Sequence, residues 1–173
     1  MAPLPALSII KTAKDTKTSQ MTEVHQVSII TPLAVGAGAV LCTIFIHALA
    51  LGAVVNFFRW ETKLGRAGTR YRIDLTIVVL VMSFAFAAHL IEVAVWAKLF
   101  MICGEFQQFG VAYYHSAVNY STLGYGDVIM SPSWRLLGPL EAADGSLMFG
   151  VSTAMIFAVI LRLVETRFAD LKD

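Results

Sequence analysis

Three long apolar runs, separated by short polar stretches, set out the chain. Pro32–Phe58, Asp74–Phe100 and about Leu136–Leu163 each hold enough consecutive apolar residues to span ~30 Å of hydrocarbon at about 1.5 Å per residue. A fourth run, Val111–Ser121, is too short to cross and predicts a half-length helix that enters and leaves on the same side. Irregular backbone at membrane depth is tolerated only where it is buried in protein or lines a cavity. The expected fold class is therefore an all-α membrane protein with three transmembrane helices and one re-entrant helix followed by a loop. The segments expected are a polar tail over 1–30, a first helix over 31–58 and a basic loop over 59–73. A second helix follows over 74–100, then the short helix over 111–121, a third helix over 136–163 and a tail over 165–173.

Polar residues inside these runs qualify the pattern. Gly36, Gly38, Ala39, Ala48, Ala50 and Gly52 give the first helix a small-residue surface suited to close helix packing. His47 reads as a neutral hydrogen bonder between helices. Asp74 is placed as the N-cap of the second helix, and Trp96 and Lys98 as anchors at its interfacial end. Cys103–Gly110 is a short linker, and Pro132, Trp134 and Arg135 read as an interfacial turn.

Composition agrees with a bilayer setting. Of 173 residues, 57% are hydrophobic and only 14% charged, against about 25% charged in ordinary soluble domains. A net charge of +1 gives no footprint for nucleic acid. Cys42 and Cys103 are too few for a disulfide framework and read as buried small residues. The first 30 residues lack the apolar core of a cleaved signal, and Met21 serves as well as Met1 for a start. Lys and Arg are biased: Arg59, Lys63, Arg66, Arg70, Arg72, Arg162, Arg167 and Lys172 fall on one side of a three-span topology. Lys11, Lys14, Lys17, Lys98 and Arg135 fall on the other. The side richer in cations is cytoplasmic, which puts the N-terminus outside a plasma or inner membrane and the C-terminus inside. No nucleophile–base pair and no phosphate loop is present, so no enzyme is expected. The first helix lacks the regularly spaced arginines of a voltage sensor, and the short tail leaves a cytoplasmic sensing domain unexpected.

Between the short helix and the third span lies Thr122-Leu123-Gly124-Tyr125-Gly126-Asp127. A dehydrated alkali cation needs its water oxygens replaced by protein oxygens at close range, and inward-facing backbone carbonyls supply them. Turning successive carbonyls to one side requires positive φ, which suits glycine at alternate positions. Tyr125, between the glycines, would point away and brace the segment from behind. Together with Tyr120 and Ser121, these residues resemble the selectivity filter of potassium channels. The resemblance extends over Asp74–Leu163 and is to the two-helix-plus-pore-loop ion channel family, with one extra N-terminal helix.

What the resemblance implies is specific. An ion channel pore domain would occupy 74–164, with filter 122–127, and four identical chains would close a homotetrameric pore. K+ would pass passively, held at Thr122, Leu123, Gly124 and Tyr125, with Gly126 completing the ion-binding segment. No cofactor and no organic small-molecule substrate is implied beyond the permeant ion and the lipid bilayer. The short helix would aim its C-terminal partial negative charge at the ion. Asp127, His115 and Tyr114 would support the filter, with a ring N–H of His115 bonding Asp127. Val118 stands where some members carry a glutamate. Leu123 stands where valine or isoleucine is commoner, and the alternative is a cation channel with relaxed Na+/K+ selectivity. A non-conducting membrane subunit of a larger transport complex is the rival of another class. Gly145 and Gly150 are candidate hinges of the inner helix, and for Gly145 close packing under the filter stands equally open.

One constellation is left over. His89 and Glu92 lie one turn apart in the second helix, and Glu141 and Asp144 one turn apart in the third. Both pairs sit very roughly 10–15 Å inside the outer boundary, so their faces would meet. The readings are a polar cluster locking the two helices, a proton-sensitive modulator of the filter, a cation-attracting ring formed by Asp144, or a metal site.

Overall fold

The computed structural model describes residues 29–169. Residues 1–28 of the tail expected over 1–30, with the question of Met21, and the last four residues lie outside the described part. Among the described residues there are four helices and no strand: α1 (Ile30–Lys63), α2 (Tyr71–Ile102), α3 (Phe109–Tyr120) and α4 (Leu137–Ala169). The three long ones are long and apolar enough to cross a membrane, and their outward faces carry large exposed apolar side chains such as Leu41, Phe45, Leu49, Phe84 and Phe86. The protein is an all-α, multi-pass membrane protein.

Each long helix outruns the apolar stretch that predicts it. α1 continues through Arg59 and Trp60 to Lys63 because its end is capped rather than frayed. The N–H of Gly65 donates to Thr62 O at 3.0 Å and that of Arg66 to Glu61 O at 3.1 Å, the paired bonds that satisfy terminal carbonyls around a residue of positive φ, here Gly65 at +64°. α2 begins three residues before Asp74, with Arg70 as its N-cap, so Asp74 is not the cap. Its carboxylate instead accepts the N–H of Gly68 at 2.8 Å and pairs with Arg167 at 2.5 Å. That pair also explains why α4 runs on to Ala169: its last turns dock on the α1–α2 loop, where Thr166 leaves no room for a side chain at Gly68.

The helices pack into two apolar clusters. One joins Ala39, Val93, Trp96, Phe100, Tyr120, Leu137 and Met148; the other joins Val54, Ile77, Val81, Val159 and Leu163. His47, His89, Glu92 and Ser152 fall between them along α1, α2 and α4, so a polar layer separates two apolar ones. Trp96 is not an interfacial anchor. It is fully buried, and its Nε1–H donates to Asp144 at 2.9 Å, because α1 covers the face that the sequence leaves open. Cys103 is half-buried and Cys42 is exposed, so the expected burial of Cys42 is corrected: it lies on the outward face of α1.

Candidate ion pathway and the buried polar network

α3 has 12 residues, about 18 Å of helix, too short to cross a bilayer. Its last turn holds the next segment directly. The N–H of Thr122 donates to Asn119 O at 2.8 Å, and those of Leu123 and Gly124 to Val118 O at 3.0 and 3.3 Å. Beyond this turn, every second residue takes positive φ: Thr122 at 62°, Gly124 at 57° and Gly126 at 73°. Thr122 is the one described non-glycine residue that does so. Left-handed geometry at alternate residues is the pattern by which consecutive carbonyls turn to a common side. A Cβ built on Gly124 or Gly126 meets no atom of its own chain. Conformation, rather than space within the chain, is what calls for glycine there. Leu123 and Tyr125 are exposed.

Two aromatic residues of α3 hold the far end of this segment, with a different division of labour from the one expected. The Tyr114 hydroxyl donates to Asp127 Oδ2 at 2.7 Å. His115 does not reach Asp127. Its Nδ1–H donates to Val128 O at 3.0 Å, while Nε2 accepts from the Asn119 amide at 2.9 Å. Neighbouring residues on a helix point about 100° apart. The buried His115 lies against the rings of Phe100 and Phe106, and the half-exposed Tyr114 takes the face toward Asp127. A further tie escaped sequence reasoning: Glu105, in the loop before α3, accepts from the N–H and the hydroxyl of Ser131 at 2.7 and 2.6 Å. Tyr114→Phe removes this donor and is expected to loosen Asp127. Amide hydrogen exchange across residues 122–128 should quicken, and an unchanged rate would mean that the phenol bond does not hold the segment.

The polar residues of the long helices do not form one cluster. His89 Nδ1 lies 3.2 Å from Glu92 Oε2, and Glu92 is fully buried. Glu92 also takes His47 Nδ1 of α1 at 2.9 Å on Oε1 and the Tyr120 hydroxyl on Oε2. Ser152 Oγ of α4 closes the ring, 3.2 Å from His47 Nε2 and 3.1 Å from His89 Nε2. Asp144 turns to α1 and α2 instead, accepting from Thr43 Oγ1 at 2.8 Å and from Trp96. Buried and so engaged, it is not placed to form an acidic ring. Glu141 contacts Ser116 Oγ of α3. A metal site uniting His89, Glu92, Glu141 and Asp144 is not assembled, because no bond joins the two pairs and each acid of α4 faces its own donors.

His47, Thr43, Trp96, Ser116, Tyr120 and Ser152 were not foreseen as members of this network, although His47 was read as a bonder between helices. Tyr120 is its most consequential member. It ends α3, its hydroxyl sits on Glu92, and its carbonyl lies against Gly145 of α4. Gly145 is thus a point of close approach between α4 and the start of the loop, whereas nothing lies within 4 Å of a Cβ at Gly150.

Two membrane-crossing helices that flank a half-length helix, with a loop of alternating handedness between, define a channel-type architecture. A family model described as an ion channel matches residues 76–162, half of the chain and nearly the stretch over which the resemblance was read. The chain belongs to this ion channel family. Comparison with curated proteins and with solved structures returned no match.

Proposed function

We propose that the chain is one subunit of a homotetrameric potassium channel in the cell membrane, with its N-terminus outside and its C-terminus in the cytoplasm. Four copies of Thr122–Gly126 around a common axis replace the hydration shell of K+ with carbonyl oxygens and, at Thr122, a hydroxyl. The observation that carries this reading is the positive φ at Thr122, Gly124 and Gly126 within the sequence Thr-Leu-Gly-Tyr-Gly-Asp. Conduction is passive and itself uses no cofactor. The short helix aims its C-terminus at the same segment, favouring a cation there. Asp127 is held by Tyr114, so the support comes from the chain's own short helix.

Potassium flux into liposomes, compared between the wild type and Gly126→Ala, tests the reading. Alanine at φ +73° is strained by about 1–2 kcal/mol even where space is free, so the chain should assemble yet lose flux to background. Flux that persisted unchanged would remove Gly126 from the route. Reversal potentials under K+/Na+ gradients separate strict selectivity from a relaxed filter at Leu123. A chain that assembles as a tetramer but carries no ion would instead be a subunit of a larger complex.

A further inference from the structure

Ion conduction through the loop leaves the buried layer between the two apolar clusters without a task. Glu92, Glu141 and Asp144 are buried in the membrane-crossing helices, and no Lys or Arg is buried among the described residues. Acids at that depth are costly unless a cation or a full set of donors attends them. For Glu92 the neighbours are two imidazoles, side chains of the kind that ligate a metal ion. One donor atom from each of His47, His89 and Glu92 lies within 4.8 Å of the others, and all three residues are buried.

The spacing is tighter than that limit. His47 Nδ1 stands 2.9 Å from Oε1 and His89 Nδ1 3.2 Å from Oε2, so two rings address the two oxygens of one carboxylate. Ligands of a tetrahedral zinc-class ion, each about 2.0–2.2 Å from the metal, are roughly 3.3 Å from one another. Both N–O separations are close to that spacing, so each ring stands at ligand distance from the carboxylate. The Tyr120 hydroxyl, 3.2 Å from His89 Nδ1, is the nearest fourth oxygen.

Counting protons points the same way. With no cation, two neutral rings donating from Nδ1 to a carboxylate leave both Nε2 atoms bare. Both face Ser152 Oγ, whose single hydrogen can serve only one of them. With an ion on the two Nδ1 atoms, both rings carry Nε2–H, and both donate to the two lone pairs of the serine oxygen. A metal-binding histidine characteristically donates its other N–H to such an outer partner, which fixes the tautomer. The outer partner is already in position, and one atom serves both rings.

We propose that His47, His89 and Glu92 form a buried site for a divalent transition metal of the zinc class, with Ser152 as the residue that orients both imidazoles. His47 comes from α1, outside the matched family region. The ion would pin this additional helix to α2 and, through Tyr120, to the base of the ion-conducting loop. A single proton shared between Glu92 and His89 closes the same network without metal, and is the competing outcome.

The test uses the full-length protein in detergent, stripped with chelator, reloaded with Zn2+ or Co2+ and desalted. Elemental analysis should then give about one metal per chain, and Co2+ should show the visible absorption of a low-symmetry, four-coordinate site. His47→Gln should abolish uptake, and Ser152→Ala should weaken it by about 10- to 100-fold. Cys42→Ser with Cys103→Ser should leave it unchanged. Size-exclusion chromatography and circular dichroism establish that each variant is folded. Absence of uptake by folded wild-type protein would assign the network to a proton and overturn the proposal, as would equal uptake by His47→Gln. Neither readout involves ion flux, so this inference and the channel reading can fail separately.

Discussion

Gly145→Ala is expected to abolish ion flux and to destabilise the protein. A Cβ at this position would overlap the carbonyl oxygen of Tyr120 and lie 2.9 Å from its carbonyl carbon and 3.0 Å from its Cγ. Two of the three atoms are backbone, at the end of α3, so no side-chain rotation relieves the clash. Either α4 withdraws or Tyr120 moves, and Tyr120 leads straight into Ser121 and Thr122. Alanine is favoured over glycine within a helix by about 1 kcal/mol, but overpacking costs typically 1–3 kcal/mol and more when backbone must shift. The clash therefore wins. Gly150→Ala is the control: with no atom of the chain within 4 Å, it should keep the thermal midpoint in detergent or raise it slightly. Wild-type flux and midpoint in Gly145→Ala would mean that α4 and α3 do not approach as described.

Why Gly145 and Gly150 differ so much shows where sequence reasoning stops. Both are glycines in an apolar helix, Gly145 open to a packing or a hinge role and Gly150 to a hinge; only the position of Tyr120 separates them. The spans themselves were legible because hydrocarbon acts on composition, which a sequence displays residue by residue. The six-residue loop motif was legible because its backbone demand falls on glycine. Helix ends were less so. α4 continues past its apolar run through contacts such as Arg167 with Asp74, which join residues 93 positions apart. The same limit explains Asp127, whose partner was assigned to His115 when Tyr114, one position away, faces it. It explains the polar network as well. His89 and Glu92 announced themselves by spacing along one helix. Thr43 and His47 became partners only because α1 packs across α2 and α4, and Trp96 because α2 packs on α4.

Glu92→Leu is expected to carry the largest stability loss of any single change in the buried network. Glu92 is 0% exposed and attends three polar groups, the imidazoles of His47 and His89 and the hydroxyl of Tyr120. Leucine matches its bulk but leaves His47 Nδ1 without its partner, and His89 Nδ1 and the Tyr120 hydroxyl with only each other. Each unsatisfied buried group costs about 1–3 kcal/mol. Loss of most of the folded, assembled protein at ordinary temperature should follow, read as a lowered thermal midpoint in detergent. Glu92→Gln keeps the shape and one acceptor oxygen, so its loss should be smaller. The informative comparison is the pair Glu92→Leu with Tyr120→Phe. Replacing both partners of a buried bond by apolar groups restores part of what removing one destroys. The double variant should therefore be less destabilised than the sum of the two single ones, by about 0.5–3 kcal/mol of coupling. Strict additivity would mean that Tyr120 and Glu92 do not bond, and the mechanical link from α1 through Glu92 to the base of the loop after α3 would be lost with that bond.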